Sequence, residues 1–196
     1  MLIHTVNWSE RGFKTWKINK NTDWWLQVIS RVWEGSLSLQ ARLFLWRMYV
    51  GGLPLATKLK QRGFTDGKCP RCKVNQETTR HAFWFCPLVL EWWRQLCTLI
   101  LDVTGLKLNR FKFTFNLTQY PASEHCWLTN HLRFWFMQVV WLTRNEALHG
   151  GGIIYGAGLP VQKLQTYLLE ALRVDADMAG NCVLDRLLHQ LHTRRN

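Results

Sequence analysis

Three cysteines and one histidine lie within eighteen residues of this chain, in the pattern C-x2-C-x8-H-x4-C. They are Cys69, Cys72, His81 and Cys86, and thiolate and imidazole are ligands that Zn²⁺ prefers. A spacing of two residues on a polar turn lets both sulfurs of the first pair reach one ion. Four protein ligands complete a tetrahedron and leave no open position for water or substrate. The pattern therefore predicts one structural Zn²⁺ ion rather than a catalytic metal.

Positive charge is concentrated in the half of the chain that contains this pattern. The chain has 25 Lys and Arg against 13 Asp and Glu, a net charge of +12. Residues 1–96 carry 15 basic and 6 acidic side chains, a net charge of +9, whereas residues 97–196 carry 10 and 7, a net charge of +3. A basic region attracts polyanions and releases condensed counterions when it binds nucleic acid. The charge alone fits a nucleic-acid partner, RNA or DNA, and a merely soluble basic surface equally well.

Six basic residues surround the first cysteine pair, and only Asp66 opposes them. If a bound metal fixes the turn, their side chains form a preorganised rim that can contact phosphate groups. The simpler alternative is a solvated charged face. We predict nucleic-acid contacts for the six, which are Lys58, Lys60, Arg62, Lys68, Arg71 and Lys73.

The apolar composition indicates a folded protein without a membrane helix. Twelve tryptophans and ten phenylalanines must be buried or must meet a partner. The longest apolar runs, such as Val139–Leu142, are far shorter than a membrane span, so no membrane partner is expected. Cys97, Cys126 and Cys182 are widely spaced. Cys97 and Cys126 lie in aromatic or aliphatic surroundings, which predict buried reduced thiols, and we expect an intracellular protein. The nucleus is the favoured compartment, with an organelle as the alternative.

Apolar residues recur at helical spacing along most of the chain, so the predicted fold class is mainly α. We expect a small helical zinc-binding domain, with its CCHC site between helices, followed by an α-helical C-terminal extension. The predicted helices span residues 23–34 with Asp23 as N-cap, 39–50, 55–62, 88–101, 124–149 with Ser123 as N-cap, 160–174 and 183–192.

Two stretches depart from helical spacing. Phe13–Ile18 predicts a short strand, and Phe111, Phe113, Phe115 and Leu117 alternate with polar residues as in a strand or an extended arm. The predicted division is an N-terminal arm at 1–22, a zinc-binding helical domain at 23–101, a linker or extended arm at 102–122 and a helical region at 123–196.

Patterns typical of zinc enzymes and nucleotide-binding loops are missing from the sequence. No H-x-E partners the cysteines, and neither H-E-x-x-H nor G-x-x-x-x-G-K-[ST] occurs. Asp175 and Asp177 have the spacing of metal-binding carboxylates, but a solvated helix end is the simpler explanation. Glu77 either orients His81 through a hydrogen bond or favours a helix N-terminus by its charge. We predict no catalytic residue, no enzymatic activity and no small-molecule substrate.

Several short segments stand in a fixed order around the ligands. They are Phe44-Leu45-Trp46-Arg47, Gly52-Leu53-Pro54, Leu59, Arg62-Gly63, Glu77-Thr78, Phe83, Pro87 and Trp92 or Trp93. Together with the four ligands, over roughly residues 24–101, they resemble the zinc-binding domain that follows the reverse transcriptase in non-LTR (LINE-type) retrotransposons. Trp141, Arg144 and Asn145 resemble a W-x-x-R-N element that often follows this domain in plant-type elements.

This resemblance implies a carboxy-terminal part of a polyprotein that helps to hold template RNA or target DNA during target-primed reverse transcription. It carries the ligand role to Cys69, Cys72, His81 and Cys86. It does not carry catalysis, because the chain has no [FY]-x-D-D motif and no endonuclease constellation. The chain is then expected to be either a severed tail of a retrotransposon protein or a host protein derived from one.

Two functions remain open at this point. The first is a zinc-dependent module that binds nucleic acid, with RNA favoured. The second is a domesticated structural subunit of a larger assembly such as a ribonucleoprotein, in which aromatic surface docks on the partner and zinc only stabilises the fold.

Overall fold

Helices dominate the protein. The computed structural model describes residues 7–33, 37–115, 123–150, 158–174, 180 and 182–193, with the backbone alone at 123–127 and 171–174. Within these ranges there is no strand, only an isolated bridge between Lys68 and Gln76. The mainly α fold class is confirmed. The helices are α1 (Trp8–Trp16), α2 (Thr22–Trp33), α3 (Leu39–Tyr49), α4 (Ala56–Lys60), α5 (Pro87–Thr104), α6 (Arg110–Thr114), α7 (Ser123–His149), α8 (Val161–Val174) and α9 (Cys182–Thr193), with a π-helical turn at His81–Phe85.

The chain divides into two compact units. The first unit comprises Met1–Cys69 and Lys73–Ala82, and the second comprises Pro70–Cys72 and Phe83–Asn196. None of the described helices is long and apolar enough to cross a membrane. The predicted four-part division of the chain stays a prediction.

In the first unit, α1, α2 and α3 pack against one another. Trp16 is fully buried, and its indole N–H donates to the carbonyl oxygen of Tyr49 at 3.2 Å. This bond satisfies the polar atom of the indole inside the core. Gly12 is buried against the ring of Trp25, so closely that a side chain at Gly12 would overlap the indole.

The strand predicted at Phe13–Ile18 is wrong, because most of these residues belong to α1. Asn7 caps the start of this helix by accepting a hydrogen bond from the backbone N–H of Glu10 at 3.0 Å. Lys17 ends the helix in the left-handed conformation, with φ 56°. Burial of Trp16 between these two caps fixes the helical period, which overrides the local polar and aromatic alternation.

The next two helices lie close to their predicted positions. Asn21, not Asp23, caps α2, because Asn21 Oδ1 accepts from the backbone N–H of Trp24 at 3.0 Å and the helix begins one residue earlier than expected. α3 ends in a Schellman motif, in which Gly51 has φ 70° and the N–H of Gly52 donates to the carbonyl five residues before it at 2.6 Å. Residues 34–36 lie outside the described residues.

The second unit is built on α5. Pro87 occupies its first turn, where the missing N–H costs nothing, and Gly105 ends it with φ 70°. The helix predicted at 88–101 is confirmed and continues to Thr104. It packs against α9, which also contacts α8, and α8 packs against α7. The buried side chains of α5 are Val89, Trp92, Trp93, Leu96, Leu99, Ile100 and Val103.

The strand predicted after α5 is wrong for the part that the structure describes. Arg110–Thr114 forms α6, whose first turn is capped by the side chain of Asn109. Phe113 and Phe115 are both buried, and the ring of Phe113 packs edge to face on Trp93 at 5.8 Å. Two aromatic residues beside a single short turn can both reach the core, so their spacing of two did not require a strand.

The three C-terminal helices are confirmed as α7, α8 and α9. Several finer expectations lie outside the described residues or side chains. These are the capping role of Ser123, the environment of Cys126, the segment 116–122, and the pair Asp175 and Asp177.

The contact between Gly12 and Trp25 gives a stability prediction. Gly12→Ala adds a methyl group that overlaps the indole. We expect a loss of about 1–3 kcal/mol from overpacking, although alanine improves intrinsic helix propensity by about 1 kcal/mol. Urea unfolding followed by far-UV circular dichroism measures the change. Gly158→Ala is the control, because a Cβ at Gly158 meets no atom within 4 Å; equal stability of the two variants would contradict the prediction.

Candidate metal centre

A tight turn presents the first two ligands. The backbone N–H of Lys73 donates to the carbonyl oxygen of Cys69 at 2.8 Å. The backbone N–H of Cys69 in turn donates to the backbone carbonyl oxygen of Asn75 at 2.8 Å. Lys73, immediately after Cys72, has φ 59°, so the chain reverses direction through a left-handed residue. These bonds hold the C-x2-C segment in a closed loop that ends at the bridge between Lys68 and Gln76.

A π-helical turn presents the other two ligands. This turn spans His81–Phe85, and Cys86 follows it directly. Because hydrogen bonds of a π-helix join residues five apart, residues 81 and 86 are one turn apart along the same face. The x4 spacing between His81 and Cys86 therefore suits this unusual turn.

The residues inside the π-helical turn are anchored by hydrogen bonds. The carbonyl oxygen of Phe83 accepts from the indole N–H of Trp93 at 2.9 Å. The indole N–H of Trp84 donates to Thr114 Oγ1 at 3.2 Å, and Thr114 is fully buried. These contacts fix the backbone through which the last ligand is positioned.

The ligand atoms of Cys69, Cys72, His81 and Cys86 all lie within 4.8 Å of one another. In tetrahedral zinc sites, Zn–S distances of about 2.3 Å place two sulfurs roughly 3.8 Å apart, so this cluster needs only small side-chain adjustments. Cys69 and Cys86 are fully buried, and buried thiols and an imidazole at this spacing are a donor set suited to zinc. The structure thus brings the four predicted ligands together.

The other described cysteines stand apart from this cluster as free thiols. Cys97 is half-buried, and burial raises the pKa of its thiol, although the nearby Arg110 acts in the opposite direction. A raised pKa keeps the thiol protonated and unreactive. Cys182 is exposed.

Glu77 is fully buried and caps a helix. Its Oε2 accepts a hydrogen bond from the backbone N–H of Ala56, the first residue of α4, at 2.6 Å. The hydroxyl of Thr57 donates to the carbonyl oxygen of the same glutamate at 2.7 Å. Of the two roles considered for Glu77, support of a helix N-terminus is thus present, at a helix 21 residues earlier in the chain.

Five of the six residues predicted to form the basic rim are exposed. All five belong to the first unit, and none forms an ion pair with another described residue. Asp66 accepts a hydrogen bond from the backbone N–H of Lys68 at 2.8 Å and so shapes the turn that leads to the metal ligands. We call these five residues the basic rim: Lys58, Lys60, Arg62, Lys68 and Lys73.

Arg71, the sixth, takes a different place. Its side chain is only 8% exposed, and its Nη1 donates to the carbonyl oxygen of Val140 at 2.8 Å. Its guanidinium also lies 6.0 Å from the centre of the Trp92 ring. Arg71 therefore packs inside the second unit and does not share the exposure of the basic rim.

The W-x-x-R-N element forms one local cluster on α7. The guanidinium of Arg144 lies 5.2 Å from the centre of the Trp141 ring, and its Nη1 donates to Asn145 Oδ1 at 3.1 Å. Arg144 is only 2% exposed. A buried arginine held by neighbours of its own helix indicates a packing role for this element.

Residues 9–93 match the model of a family described as zinc-binding in reverse transcriptase. This region is a reverse-transcriptase-associated zinc-binding domain. The match begins within α1, earlier than the resemblance at roughly 24–101, and it includes all four clustered ligands. The comparisons with curated proteins and with solved structures gave no match.

The zinc-binding domain yields a prediction about metal removal. Cys86→Ser, or likewise Cys72→Ser, removes one thiolate from the cluster, and structural zinc supplies folding free energy on the order of 10 kcal/mol. We expect loss of bound zinc, measured by elemental analysis, and loss of hydrogen-exchange protection across residues 58–96. Complete chelation of the unmodified protein should have the same effect.

Cys182→Ser is the matched control, because it replaces an exposed thiol outside the cluster. It should keep one zinc ion and unaltered protection. Near-native helicity and thermal stability after complete chelation would show that zinc does not sustain the fold.

Proposed function

We propose that the protein is a non-catalytic module that binds nucleic acid through the basic rim and uses one structural zinc ion to hold the fold. The exposure of five cationic side chains, without ion pairs among the described residues, carries this proposal. Two of them, Lys68 and Lys73, directly flank the C-x2-C segment in sequence. Exposed Lys and Arg side chains without an ion-pair partner can contact phosphates and release the counterions that are condensed on the nucleic acid.

The ion that Cys69, Cys72, His81 and Cys86 would hold contributes folding free energy and no reaction step. All four positions of a tetrahedron would be occupied by protein ligands, whereas a catalytic zinc keeps one position for water or substrate. Two residues close to the ligands in sequence, Glu77 and Trp84, make hydrogen bonds to the backbone and to a buried hydroxyl, respectively. Their roles are those of a scaffold.

RNA is the proposed partner, in line with the reverse-transcriptase association of residues 9–93. The proposal includes a retrotransposon origin, either as a severed tail or as a host protein, and action in the nucleus. Contacts between Lys or Arg and phosphate do not distinguish RNA from DNA by themselves. Both polymers are therefore needed in the test.

The salt dependence of binding tests the basic rim. We expect the zinc-loaded protein to bind a labelled single-stranded RNA with an affinity that falls steeply between about 50 and 200 mM salt. In the triple variant Lys60→Gln, Arg62→Gln and Lys68→Gln, the slope of log K against log salt should decrease in magnitude by about 2, since each lost phosphate contact removes roughly 0.7. Fluorescence anisotropy measures both quantities, and single-stranded DNA of the same sequence gives the comparison.

The matched control removes three exposed positive charges from the second unit: Lys107→Gln, Lys112→Gln and Arg186→Gln. It changes net charge by the same amount but leaves the basic rim intact, so its slope should stay close to that of the unmodified protein. Equal slopes for the two triple variants, or no RNA binding at low salt with zinc loaded, would refute the proposal.

Exposed apolar side chains favour a second candidate, a structural subunit of a larger assembly. Phe64 and Val74, in the first unit, are 73% and 74% exposed. Against this function, large aromatic residues such as Trp16, Trp25 and Trp92 are buried within the chain itself. Many of the tryptophans therefore need no partner to cover them.

The association state of the isolated protein separates these two functions. For the nucleic-acid module, analytical ultracentrifugation of the zinc-loaded chain should show a soluble monomer. If the purified chain instead aggregates or self-associates, and Phe64→Ser with Val74→Ser restores the monomer, the structural-subunit function gains support. Cys182→Ser serves as a control for association through an exposed thiol.

A further inference from the structure

A cleft of about 610 Å³ lies within the first unit. Its volume falls in the range of about 300–1,000 Å³ that is typical of ligand pockets. α1 and α3 contribute side chains to its walls, as do α4 and the segment before the π-helical turn. The lining residues include Arg11, Lys14, Thr15, Arg47, Gly51 and Lys58.

The charges that line this cleft are all positive. Four of the lining residues are basic and none is acidic. Lys14 forms an ion pair with Glu10, one turn away on α1, whereas Arg11, Arg47 and Lys58 form no ion pair with a described residue. The cleft therefore has at least three positive charges without a carboxylate to balance them.

Lys58 shows how closely these charges are placed. Its pKa is lowered, first by partial burial and second by the positive charge of Arg11. Both effects disfavour the charged ammonium group in the empty cleft. A bound anion would offset them by placing negative charge beside both residues.

The turn after α3 lies close to Thr15, another residue of the cleft wall. Gly51 has φ 70°, and a Cβ there would lie 2.7 Å from the hydroxyl oxygen of Thr15. A side chain at this position would displace Thr15, so glycine permits the close approach of the turn to α1. The hydroxyl of Thr15 and the backbone of this turn add polar groups to the cationic walls.

We propose that this cleft binds phosphate groups, and that in the working protein these belong to the backbone of the bound nucleic acid. Guanidinium groups suit this task because they donate two parallel hydrogen bonds to phosphate oxygens. Lys58 belongs both to the cleft and to the basic rim, so the strand that contacts the rim continues past Arg11 and Arg47. The inference rests on the proposed function and extends its contact surface to α1 and α3.

The double variant Arg11→Gln and Arg47→Gln tests the cleft without altering the basic rim. Both residues are exposed, so we expect the variant to fold and to keep its zinc. Its affinity for the labelled single-stranded RNA should fall at least tenfold at low salt, and its salt slope should decrease by about 1.4 from the loss of two phosphate contacts. Tripolyphosphate should raise the melting temperature of the unmodified protein and should no longer do so in the variant.

Two further variants control for charge and for folding. Arg11→Lys with Arg47→Lys keeps both positive charges and should retain most of the salt slope, with weaker binding where bidentate geometry is lost. Lys107→Gln with Lys112→Gln removes two exposed charges from the second unit and should leave RNA affinity and the tripolyphosphate effect unaltered. If Arg11→Gln with Arg47→Gln fails to fold, the single variants Arg11→Gln and Arg47→Gln decide: a native fold with an unaltered tripolyphosphate effect in both overturns the inference.

The remaining outcomes separate this inference from the proposed function. If the rim variant weakens RNA binding and the cleft variant changes neither RNA binding nor the tripolyphosphate effect, the inference is overturned and the proposed function stands. If the cleft variant loses the tripolyphosphate effect while its RNA affinity equals that of the unmodified protein, the phosphate site stands and its ligand is a free polyphosphate rather than nucleic acid. The same conclusion follows if the unmodified protein binds tripolyphosphate but no RNA, a result that refutes the proposed function alone.

Discussion

Convergence of four ligand atoms is the constraint on which the local structure depends. Three sulfurs and one imidazole nitrogen from eighteen residues must meet within a few ångströms, and an ordinary helix or strand cannot bring them together. The chain meets this demand with a left-handed residue after the first pair and a π-helical turn between the second pair. The segment between the pairs then carries Glu77 inward, where its buried carboxylate caps α4.

The features that were predicted from sequence are those encoded by neighbouring residues. Ligand spacing is local, and so is the helical spacing of apolar residues that predicted α5, α7, α8 and α9, helices that the structure confirms. The errors arose at aromatic residues and at one arginine, because the sequence does not show which distant residues they contact. Trp16 belongs to a helix because it reaches the backbone of Tyr49, and Arg71 is buried because it reaches Val140, 69 residues later in the chain.

The cationic cleft could not have been found by reading along the chain. Arg11, Arg47 and Lys58 are far apart in sequence, and no local charge pattern joins the three. The net charge of residues 1–96 showed that such a surface was available but not where it would form. The cleft forms where α1 packs against α3, so it can be located only in the folded structure.

Lys73 shows what a metal-dependent turn permits on its surface. A residue with a Cβ in the left-handed region costs roughly 1–2 kcal/mol, which is why glycine is the usual occupant of such positions. Zinc ligation on the order of 10 kcal/mol would far exceed this conformational penalty. A bound ion would then hold the backbone of this turn in a conformation that glycine usually occupies, with a long cationic side chain at its surface.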